Sequence, residues 1–391
     1  MFAIVAPGQG AQTAGFLHPW LELPGFAGRL RWWSAVTGVD LVAMGTTADT
    51  ETIRDTAVAQ PLLVAAGLGA AAALVESTTD GVGVAAGHSV GELTAAVLAG
   101  ALAPEAALVL VRERGRAMAA ASRQERTGMT AILGGDQTTV DNRLAELGLT
   151  AANRNGAGQV VAAGRADALA ALAADPPAGS RLRPLSVAGA FHTSYMEPAQ
   201  KRLADLAAGI AVRDPAIHLL SNADGQVVQS GSELIERLVA QVAAPVRWDL
   251  CMRTLGELGV TAVVELPPAG TLSGLLRREL PGIQVVALRT PADLPAARAL
   301  LSSRREHAAT EPAPAWRVVV APLAGTFRPA TARPGDHVDA GDSVGTVVAR
   351  RIEEPVPAPY GGVVVEWLAE DGDPVGPGQP LVRLHPETVP A

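Results

Sequence analysis

The sequence is poor in the residues that cross-link small folds or hold metal ions. Among its 391 residues it has a single cysteine, Cys251, and a single lysine, Lys201. One thiol excludes an intrachain disulfide and fits a reducing compartment, so we expect a cytoplasmic protein. No cysteines and histidines have the spacing of a metal-ligand cluster, so no metal site is expected. The residues around Cys251 resemble one side of a helix, which favours a buried, inert thiol over a nucleophile.

Charge and long apolar runs are also scarce. Only 18% of the residues are charged, and the net charge of -8 comes without a basic stripe interleaved with aromatic residues. Nucleic acid is therefore not an expected partner. No apolar run reaches the roughly 18 residues that span a bilayer, since the Ala-rich stretch 61–75 ends at Glu76. Hydrophobic residues make up 48% of the chain, which is enough for packed cores.

The chain is too long for one core, and its composition changes near residue 290, which predicts more than one domain. Residues 1–290 alternate short apolar runs with Ala/Leu-rich helical segments, a pattern typical of an α/β domain with a mostly parallel sheet. Within them, residues 127–187 follow the order strand, helix, strand, strand, helix, strand. That order predicts an inserted ferredoxin-like α+β subdomain. A helix and a linker are predicted over residues 291–314.

Residues 315–391 contain an internal repeat rich in glycine, proline and valine. Matching residues recur at a constant offset, for example from position 322 to position 359. The repeated residues are Pro322, Gly325, Gly335, Asp336, Val338 and Gly341, which recur as Pro359, Gly362, Gly372, Asp373, Val375 and Gly378. Two similar sets of short strands joined by Gly-Asp turns predict one small, all-β flattened barrel.

The strongest chemical signal is the Gly-x-Ser-x-Gly motif at residues 87–91, between a strand-like and a helix-like run. Such a turn holds its serine in a strained conformation with the hydroxyl exposed, and the helix N-terminus offers N–H groups to an oxyanion. Ser89 is therefore the predicted nucleophile, against the plainer alternative of a helix N-cap. The hydroxyl needs a base. His192, in a loop between a strand and a helix, is favoured over His218, although both stay open.

Six motifs occur in the order and spacing of malonyl-CoA:acyl carrier protein transacylases. They are Gly8-Gln9-Gly10-Ala11-Gln12, Gly87-His88-Ser89-Val90-Gly91-Glu92, Arg112-Glu113-Arg114-Gly115, the stretch Asn153 to Gln159, Gly189-Ala190-Phe191-His192-Thr193, and Gln241 with Pro245-Val246-Arg247-Trp248. Over residues 1–290 the chain resembles this family, whose domains also occur in polyketide and fatty-acid synthases. It departs from the family's Glu-x-Gly-Pro-Gly turn, which is Glu-Leu-Pro-Pro-Ala-Gly at residues 265–270.

The resemblance implies that a malonyl group passes from malonyl-CoA to an acyl carrier protein. Ser89 would attack the thioester, and His192 would take its proton and return it to the leaving thiol. The other implied roles are an oxyanion hole formed by the backbone N–H groups of Gln9 and Val90, a backbone carbonyl of Gln241 that orients His192, Asn155 near this histidine and the substrate, and Arg114 paired with the malonyl carboxylate.

Arg114 also makes independent chemical sense. A planar guanidinium can hold a carboxylate through two parallel hydrogen bonds, whereas an acetyl group would leave it unpaired. Phe191, directly before His192, resembles the residue found in malonyl-selecting synthase domains. Both residues favour malonyl as the substrate.

The barrel repeat resembles biotinyl and lipoyl carrier domains. In those domains the turn between the two halves presents a lysine, commonly within Ala-Met-Lys-Met. The matching stretch here is Ala349-Arg350-Arg351-Ile352, and an arginine at the lysine position is not an acylation nucleophile. We therefore expect neither biotin nor lipoate. The barrel could be a stabilising appendage or could dock a carrier protein or a carboxylase partner.

Two other functions are compatible with the same motif. A serine hydrolase normally has an acid between serine and histidine in the sequence, and nothing marks Asp136 or Asp141 for that role. A non-catalytic scaffold that binds acyl-CoA or carrier proteins would fit the missing lysine of the barrel. The intact pair of Ser89 and His192 argues against the scaffold.

Overall fold

The computed structural model describes residues 1–75, 81–310, 317–350, 352–359 and 361–386. It divides the chain into two compact units, Met1–Ala308 and Ala309–Ala391. The first unit extends beyond the boundary predicted near residue 290. The reason is that Leu294, Ala297 and Leu301 of its last helix are buried in its hydrophobic core.

The first unit alternates strands and helices along most of its length. Its strands are β1 Phe2–Ala6, β2 Val84–Gly87, β3 Thr127–Gly134, β4 Thr150–Gly156, β5 Gln159–Arg165, β6 Ser180–Pro184, β7 His218–Leu220, β8 Val246–Arg247, β9 Ala262–Glu265 and β10 Gln284–Ala287. Its helices are α1 Phe26–Thr37, α2 Leu41–Thr46, α3 Thr56–Val75, α4 Gly91–Leu98, α5 Pro104–Ser122, α6 Gln137–Glu146, α7 Ala166–Ala174, α8 Glu197–Ala207, α9 Gly231–Ala240, α10 Trp248–Glu257, α11 Thr271–Glu279 and α12 Leu294–Thr310.

A parallel sheet forms the centre of this unit, as predicted. Its strand order is β10-β9-β1-β2-β7, and every neighbouring pair is parallel. All residues of β1, β2 and β9 are buried, which explains why these strands are continuous apolar runs rather than alternating ones. Parallel order brings the carboxyl ends of β1, β2 and β7 to one edge of the sheet.

Helix α3 is longer than the apolar stretch predicted at residues 61–75. It begins at Thr56 and has the length and composition of a membrane-crossing helix. Within the unit, however, 78% of its most apolar window is buried. Burial on nearly every side explains the absence of a polar face, so α3 is a core helix of this unit.

The inserted subdomain has the predicted ferredoxin-like order. Its strands lie in the order β6-β3-β5-β4 with antiparallel pairing, and α6 and α7 form its helices. Asp136 caps α6 by accepting a hydrogen bond from the backbone N–H of Thr139 at 2.9 Å. Strand β8 adds to the edge of this sheet in parallel with β4, pairing Val246 with Asn153. This pairing ties the subdomain to the segment that follows α9.

The second unit is all-β, and its two four-stranded sheets form a flattened barrel, as predicted for residues 315–391. Its strands are β11 Arg317–Val320, β12 Gly325–Pro329, β13 His337–Val338, β14 Ser343–Ala349, β15 Ile352–Pro357, β16 Gly362–Trp367, β17 Pro374–Val375 and β18 Pro380–Pro386. One sheet has the order β11-β18-β16-β13 and the other β15-β14-β12-β17. Phe327 is fully buried between them.

The repeat in the sequence corresponds to a pseudo-twofold relation between these sheets. Strands β16, β17 and β18 follow β12, β13 and β14 at the same offset as the repeated residues. Replacing each strand by its repeat partner converts the order of one sheet into that of the other. The β14–β15 hairpin closes with Ala349 paired to Ile352. Arg351, predicted to occupy the lysine position of this hairpin, lies outside the described residues.

We predict that Gly91→Ala destabilises the protein strongly whereas Gly274→Ala does not. A Cβ on Gly91 would lie 2.2 Å from the carbonyl oxygen of Ala6 in the central strand, whereas a Cβ on Gly274, in α11, would meet no atom within 4 Å. Overpacking against backbone typically costs about 1–3 kcal/mol or more, whereas alanine is favoured over glycine in an open helical position.

Chemical denaturation of both variants beside the parent measures this difference. Equal midpoints for Gly91→Ala and the parent would contradict the close approach of α4 to β1.

Candidate active site

Ser89 lies on a sharp turn between β2 and α4. It adopts φ 53°, a left-handed conformation that is strained for a residue other than glycine. The turn is possible because its flanking positions are glycines. A Cβ on Gly87 would lie 2.0 Å from the carbonyl carbon of Gly91. The sequence motif therefore forms the predicted strand-to-helix turn with its serine at the carboxyl edge of the sheet.

His192 meets this serine from a loop more than one hundred residues later. Its Nε2 lies 2.7 Å from Ser89 Oγ, and its Nδ1 lies 2.8 Å from the backbone carbonyl oxygen of Gln241. A carbonyl only accepts, so Nδ1 carries the proton and Nε2 is left to accept from the serine hydroxyl. His218, the alternative base, pairs with Val84 at the opposite end of β2.

The environment of His192 holds its imidazole neutral. Burial, followed by the positive charge of Arg114, lowers the pKa of His192 to about 3, and the hydrogen bond to the Gln241 carbonyl opposes this shift. The histidine also adopts φ 61°, a second strained backbone at this site. A neutral imidazole bonded to a serine hydroxyl can act as a general base.

Arg114 is a buried cation beside the serine. Its side chain, on α5, is only 3% exposed. Its Nη2 donates to Gln241 Oε1 at 2.8 Å and to Ser89 Oγ at 3.3 Å. Its Nη1 is buried and has no hydrogen-bond partner among the described residues. Because a buried donor without a partner is unfavourable, this nitrogen is poised to receive an anionic ligand.

Glu92 and Asn222 stabilise the turn that carries Ser89 through a chain of hydrogen bonds. Asn222 accepts from the backbone N–H of Ser89 and donates to the carbonyl of Gly87, both at 2.7 Å. Glu92 accepts from the backbone N–H of Asn222 at 2.5 Å and from the side-chain amide of Gln241. Burial raises the pKa of Glu92 to about 8, and these donors and Arg114 oppose the shift.

The predicted oxyanion donors follow two neighbouring strands. Gln9 comes shortly after β1, and Val90 is the residue that precedes α4. The backbone N–H groups of Gln9 and Val90 form no hydrogen bond with another described residue. Two free N–H groups at a helix start and an adjacent loop are the elements of an oxyanion hole, which stays a prediction for these residues.

Asn155, predicted to lie near His192 and the substrate, forms its hydrogen bond with His88, the residue before Ser89. Its Oδ1 lies 2.9 Å from Nε2 of His88, and its Nδ2 donates to Gln159 at 3.3 Å. No hydrogen bond joins Asn155 to His192. The His88 ring also packs edge-on against Trp248, with the ring centroids 5.8 Å apart. Asn155 thus connects the inserted subdomain to the residue before Ser89.

A narrow, mainly apolar pocket opens beside Ser89, and its free space of about 10 Å³ is close to that of one water molecule. Its polar lining is Ser89, Arg114 and Gln241, and its apolar lining is Leu93, Leu110, Leu203, Ile235, Leu238 and Val239. Phe191 is buried but does not line this pocket. An arginine in the wall of a mainly apolar pocket next to a serine favours an acyl group that carries a negative charge.

Sequence reasoning missed three parts of this site. Asn222 lies two residues after the apolar strand β7, a position where functional residues gather in parallel sheets, and this is the signal that could have pointed to it. The sequence motifs contain Glu92 and Gln241 but do not show the contacts of the Glu92 carboxylate or of the Gln241 carboxamide. Cys251 is fully buried as expected, and its thiol donates to the carbonyl of Ser221 at 3.3 Å.

A serine on a strained turn, a neutral histidine bonded to it and a buried arginine beside them, at the edge of a parallel α/β sheet, define a serine acyltransferase. A family model described as "Acyl transferase domain" matches residues 3–309. The curated malonyl CoA-acyl carrier protein transacylase of Mycobacterium tuberculosis is 54% identical over 298 residues, which cover 75% of this chain and 98% of that protein. The chain therefore belongs to the malonyl-CoA:acyl carrier protein transacylase family.

Solved structures agree with this assignment. The crystal structure of MCAT from Mycobacterium tuberculosis superposes with a TM-score of 0.73 at 54% identity, covering 76% of this chain and 99% of that one. A malonyl-transacylase solved with its type II PKS acyl-carrier protein superposes with a TM-score of 0.72 at 31% identity, covering 76% and 99%. A second family model, described as "Biotin-requiring enzyme", matches residues 317–384.

We predict that His192 stays neutral between pH 8 and pH 5. An ordinary histidine, with a pKa of about 6.5, would take up its proton across this range, whereas burial and Arg114 keep the pKa of His192 near 3. NMR spectra of the protein with labelled histidine rings, assigned by the signal that His192→Gln removes, measure this directly. A signal that titrates with a midpoint near 6.5 would contradict the buried, neutral base.

Proposed function

We propose that the protein transfers a malonyl group from malonyl-CoA to the phosphopantetheine thiol of an acyl carrier protein. It acts through a covalent malonyl ester on Ser89, in fatty-acid or polyketide synthesis. The observation that carries the proposal is the unpartnered Nη1 of Arg114 beside the Ser89–His192 pair. An acyl-transfer site with a buried, unsatisfied guanidinium selects an acyl group with a free carboxylate.

In the first half-reaction Ser89 Oγ attacks the thioester carbonyl carbon of malonyl-CoA. His192 Nε2, 2.7 Å away, accepts the serine proton, and the Gln241 carbonyl stabilises the resulting imidazolium through Nδ1–H. The N–H groups of Gln9 and Val90 bind the oxyanion. When the tetrahedral intermediate collapses, the C–S bond breaks and the imidazolium returns its proton to the leaving CoA thiol.

The second half-reaction repeats these steps in reverse order with a new thiol. His192 takes the proton of the carrier protein's thiol, and the sulfur attacks the ester carbonyl on Ser89. Collapse breaks the ester C–O bond, and the proton returns to Ser89 Oγ. The relative solved with its acyl carrier protein supports a carrier thiol as the acceptor. The lowered pKa of His192 keeps the free base populated for each proton transfer, at the expense of its strength as a base.

We propose that the C-terminal barrel carries neither biotin nor lipoate. The sequence has no lysine after Lys201, and Arg351 stands at the position expected for the attachment lysine. Acylation of a side chain by an activated cofactor needs a nucleophilic amine, which a guanidinium does not supply. The barrel would then act as a folded appendage or as a docking module for a partner protein. We also propose a cytoplasmic location, in keeping with the single buried thiol.

Intact-protein mass spectrometry tests the acyl-enzyme and the absence of a cofactor together. We predict a mass equal to that of the sequence before exposure, and one malonyl adduct after brief exposure to malonyl-CoA. Ser89→Ala should form no adduct because it lacks the attacking oxygen. An adduct on both proteins would contradict the assignment of Ser89, and CoA release without an adduct would indicate a hydrolase.

We predict that Arg114→Ala lowers malonyl transfer by about tenfold or more and leaves acetyl transfer far less affected. The carboxylate loses its charged partner, and a buried charged hydrogen bond is worth about 1.5–3 kcal/mol. Loading rates with malonyl-CoA and acetyl-CoA measure the effect. Arg116→Ala is the matched control because Arg116 is exposed on the same helix. Equal losses for both acyl groups would exclude the carboxylate-binding role.

A further inference from the structure

Arg114 reaches a carboxylate only through an intervening amide. Its Nη2 donates to Gln241 Oε1 at 2.8 Å, and Gln241 Nε2 donates in turn to Glu92 Oε2. Glu92 is only 4% exposed and is the carboxylate whose charge acts on Arg114. The positive charge of Arg114 is thus balanced by Glu92 without a direct ion pair. Its Nη1 has no hydrogen-bond partner among the described residues and can bind a ligand.

The orientation of the Gln241 carboxamide follows from its neighbours. Arginine has no acceptor, so the oxygen of the amide must face Arg114. The nitrogen then faces three acceptors, which are the Glu92 carboxylate, the backbone carbonyl of Ser89 at 3.0 Å and Asn222 Oδ1 at 3.4 Å. A reversed amide would place N–H groups against the guanidinium and an oxygen against the carboxylate. A charged Glu92 therefore reinforces the one orientation of Gln241 that holds Arg114.

The same carboxylate orients the other support of the nucleophile. Its Oε1 accepts from the backbone N–H of Asn222 at 2.5 Å. Asn222 holds the backbone N–H of Ser89 and the carbonyl of Gly87 at 2.7 Å each. Both oxygens of Glu92 thus accept hydrogen bonds, and a proton on either would face an N–H. The ionised form fits this geometry, and the protonated form loses at least one hydrogen bond.

We propose that Glu92 is a positioning residue of the acyl-transfer site, whose carboxylate orients Gln241 and thereby holds Arg114 ready for the acyl carboxylate. This role rests on the proposed malonyl transfer. It makes the preference for malonyl depend on the charge of a residue that does not touch the substrate. It also explains why α4 begins with a buried acid that forms no direct ion pair with a described residue.

Glu92 should change its charge within an accessible pH range. Burial raises the pKa of Glu92 to about 8, opposed by Asn222, Arg114, Gln241 and Arg237. Arg114, on α5, has a pKa lowered to about 10, Arg237, on α9, has a raised pKa, and burial raises the pKa of the Cys251 thiol. Between pH 7 and pH 9, Glu92 is therefore the group of this set that titrates. The ionised form of Glu92, which fits the hydrogen-bond network, becomes populated as the pH rises through about 8.

The experiment compares the pH dependence of Ser89 loading in the parent and in Glu92→Gln. In the parent, kcat/KM with malonyl-CoA should rise by about tenfold between pH 6.5 and pH 9, the effect of one buried hydrogen bond. Acetyl-CoA loading should rise much less. Glu92→Gln should stay at the low-pH level throughout because its amide N–H groups repeat the mismatch of the protonated acid. Glu105→Gln, at an exposed position in the first turn of α5, is the matched control and should behave as the parent.

Three results would overturn the proposal. These are a parent profile without the rise, a Glu92→Gln variant that keeps it, and equal losses for malonyl and acetyl groups. If Glu92→Gln does not fold, the parent profiles with the two acyl groups still decide the question. A crystal structure of the variant gives an independent readout, in which Gln241 Oε1 should leave Arg114. If the parent never loads malonyl, the proposed function fails, and an unmoved Gln241 in that crystal structure would overturn the positioning role separately.

Discussion

The site is organised by the burial of one positive charge. An isolated guanidinium in a protein interior is costly, and a direct ion pair with a carboxylate would remove the cost but also occupy the cation. Here the Gln241 amide separates Arg114 from Glu92, so the charge is balanced while Nη1 remains available. The same amide belongs to the residue whose backbone carbonyl holds His192. Gln241 therefore contributes to the charge balance of Arg114, to the selection of the substrate and to the orientation of His192.

Backbone strain at Ser89 and His192 depends on this network. A left-handed conformation persists in a residue other than glycine only where its surroundings determine it. Around Ser89 these surroundings are the close packing of Gly87 and Gly91 and the hydrogen bonds from Asn222. The elements that carry them come from distant parts of the chain, and the parallel sheet brings them to one edge. The inserted subdomain contributes a further constraint through the contact of Asn155 with His88.

In the C-terminal unit, unlike the acyltransferase unit, the fold does not depend on the residues that would carry the chemistry. Its two sheets keep the pseudo-twofold symmetry of the repeat, and its core is closed around Phe327. The sequence nevertheless has no lysine in this unit. A barrel of this kind is stabilised by its glycine turns and apolar interior, neither of which depends on the residue at the hairpin turn. The fold can therefore persist in a unit whose sequence has no lysine.

Local signals in the sequence were sufficient for much of the secondary structure, the parallel sheet, the ferredoxin-like insertion and the repeat of the barrel, although α12 continues to Thr310, into the predicted linker. They depend on periodicity, glycine spacing and turn residues, which act over a few positions. The motif at residues 87–91 likewise specified its own turn, because its glycines are required by contacts within the turn and with β1. The family motifs located Ser89, His192, Arg114 and Gln241 in advance.

Only the tertiary structure decided how these residues act on one another. The sequence could not show that Asn155 contacts His88 rather than His192, that Asn222 holds Ser89, or that Glu92 reaches Arg114 through Gln241. Nor could it show that α12 completes the first unit's core. Hydrogen bonds between groups that lie more than sixty residues apart are set by strand order and side-chain direction. Neither leaves a periodic trace in the chain.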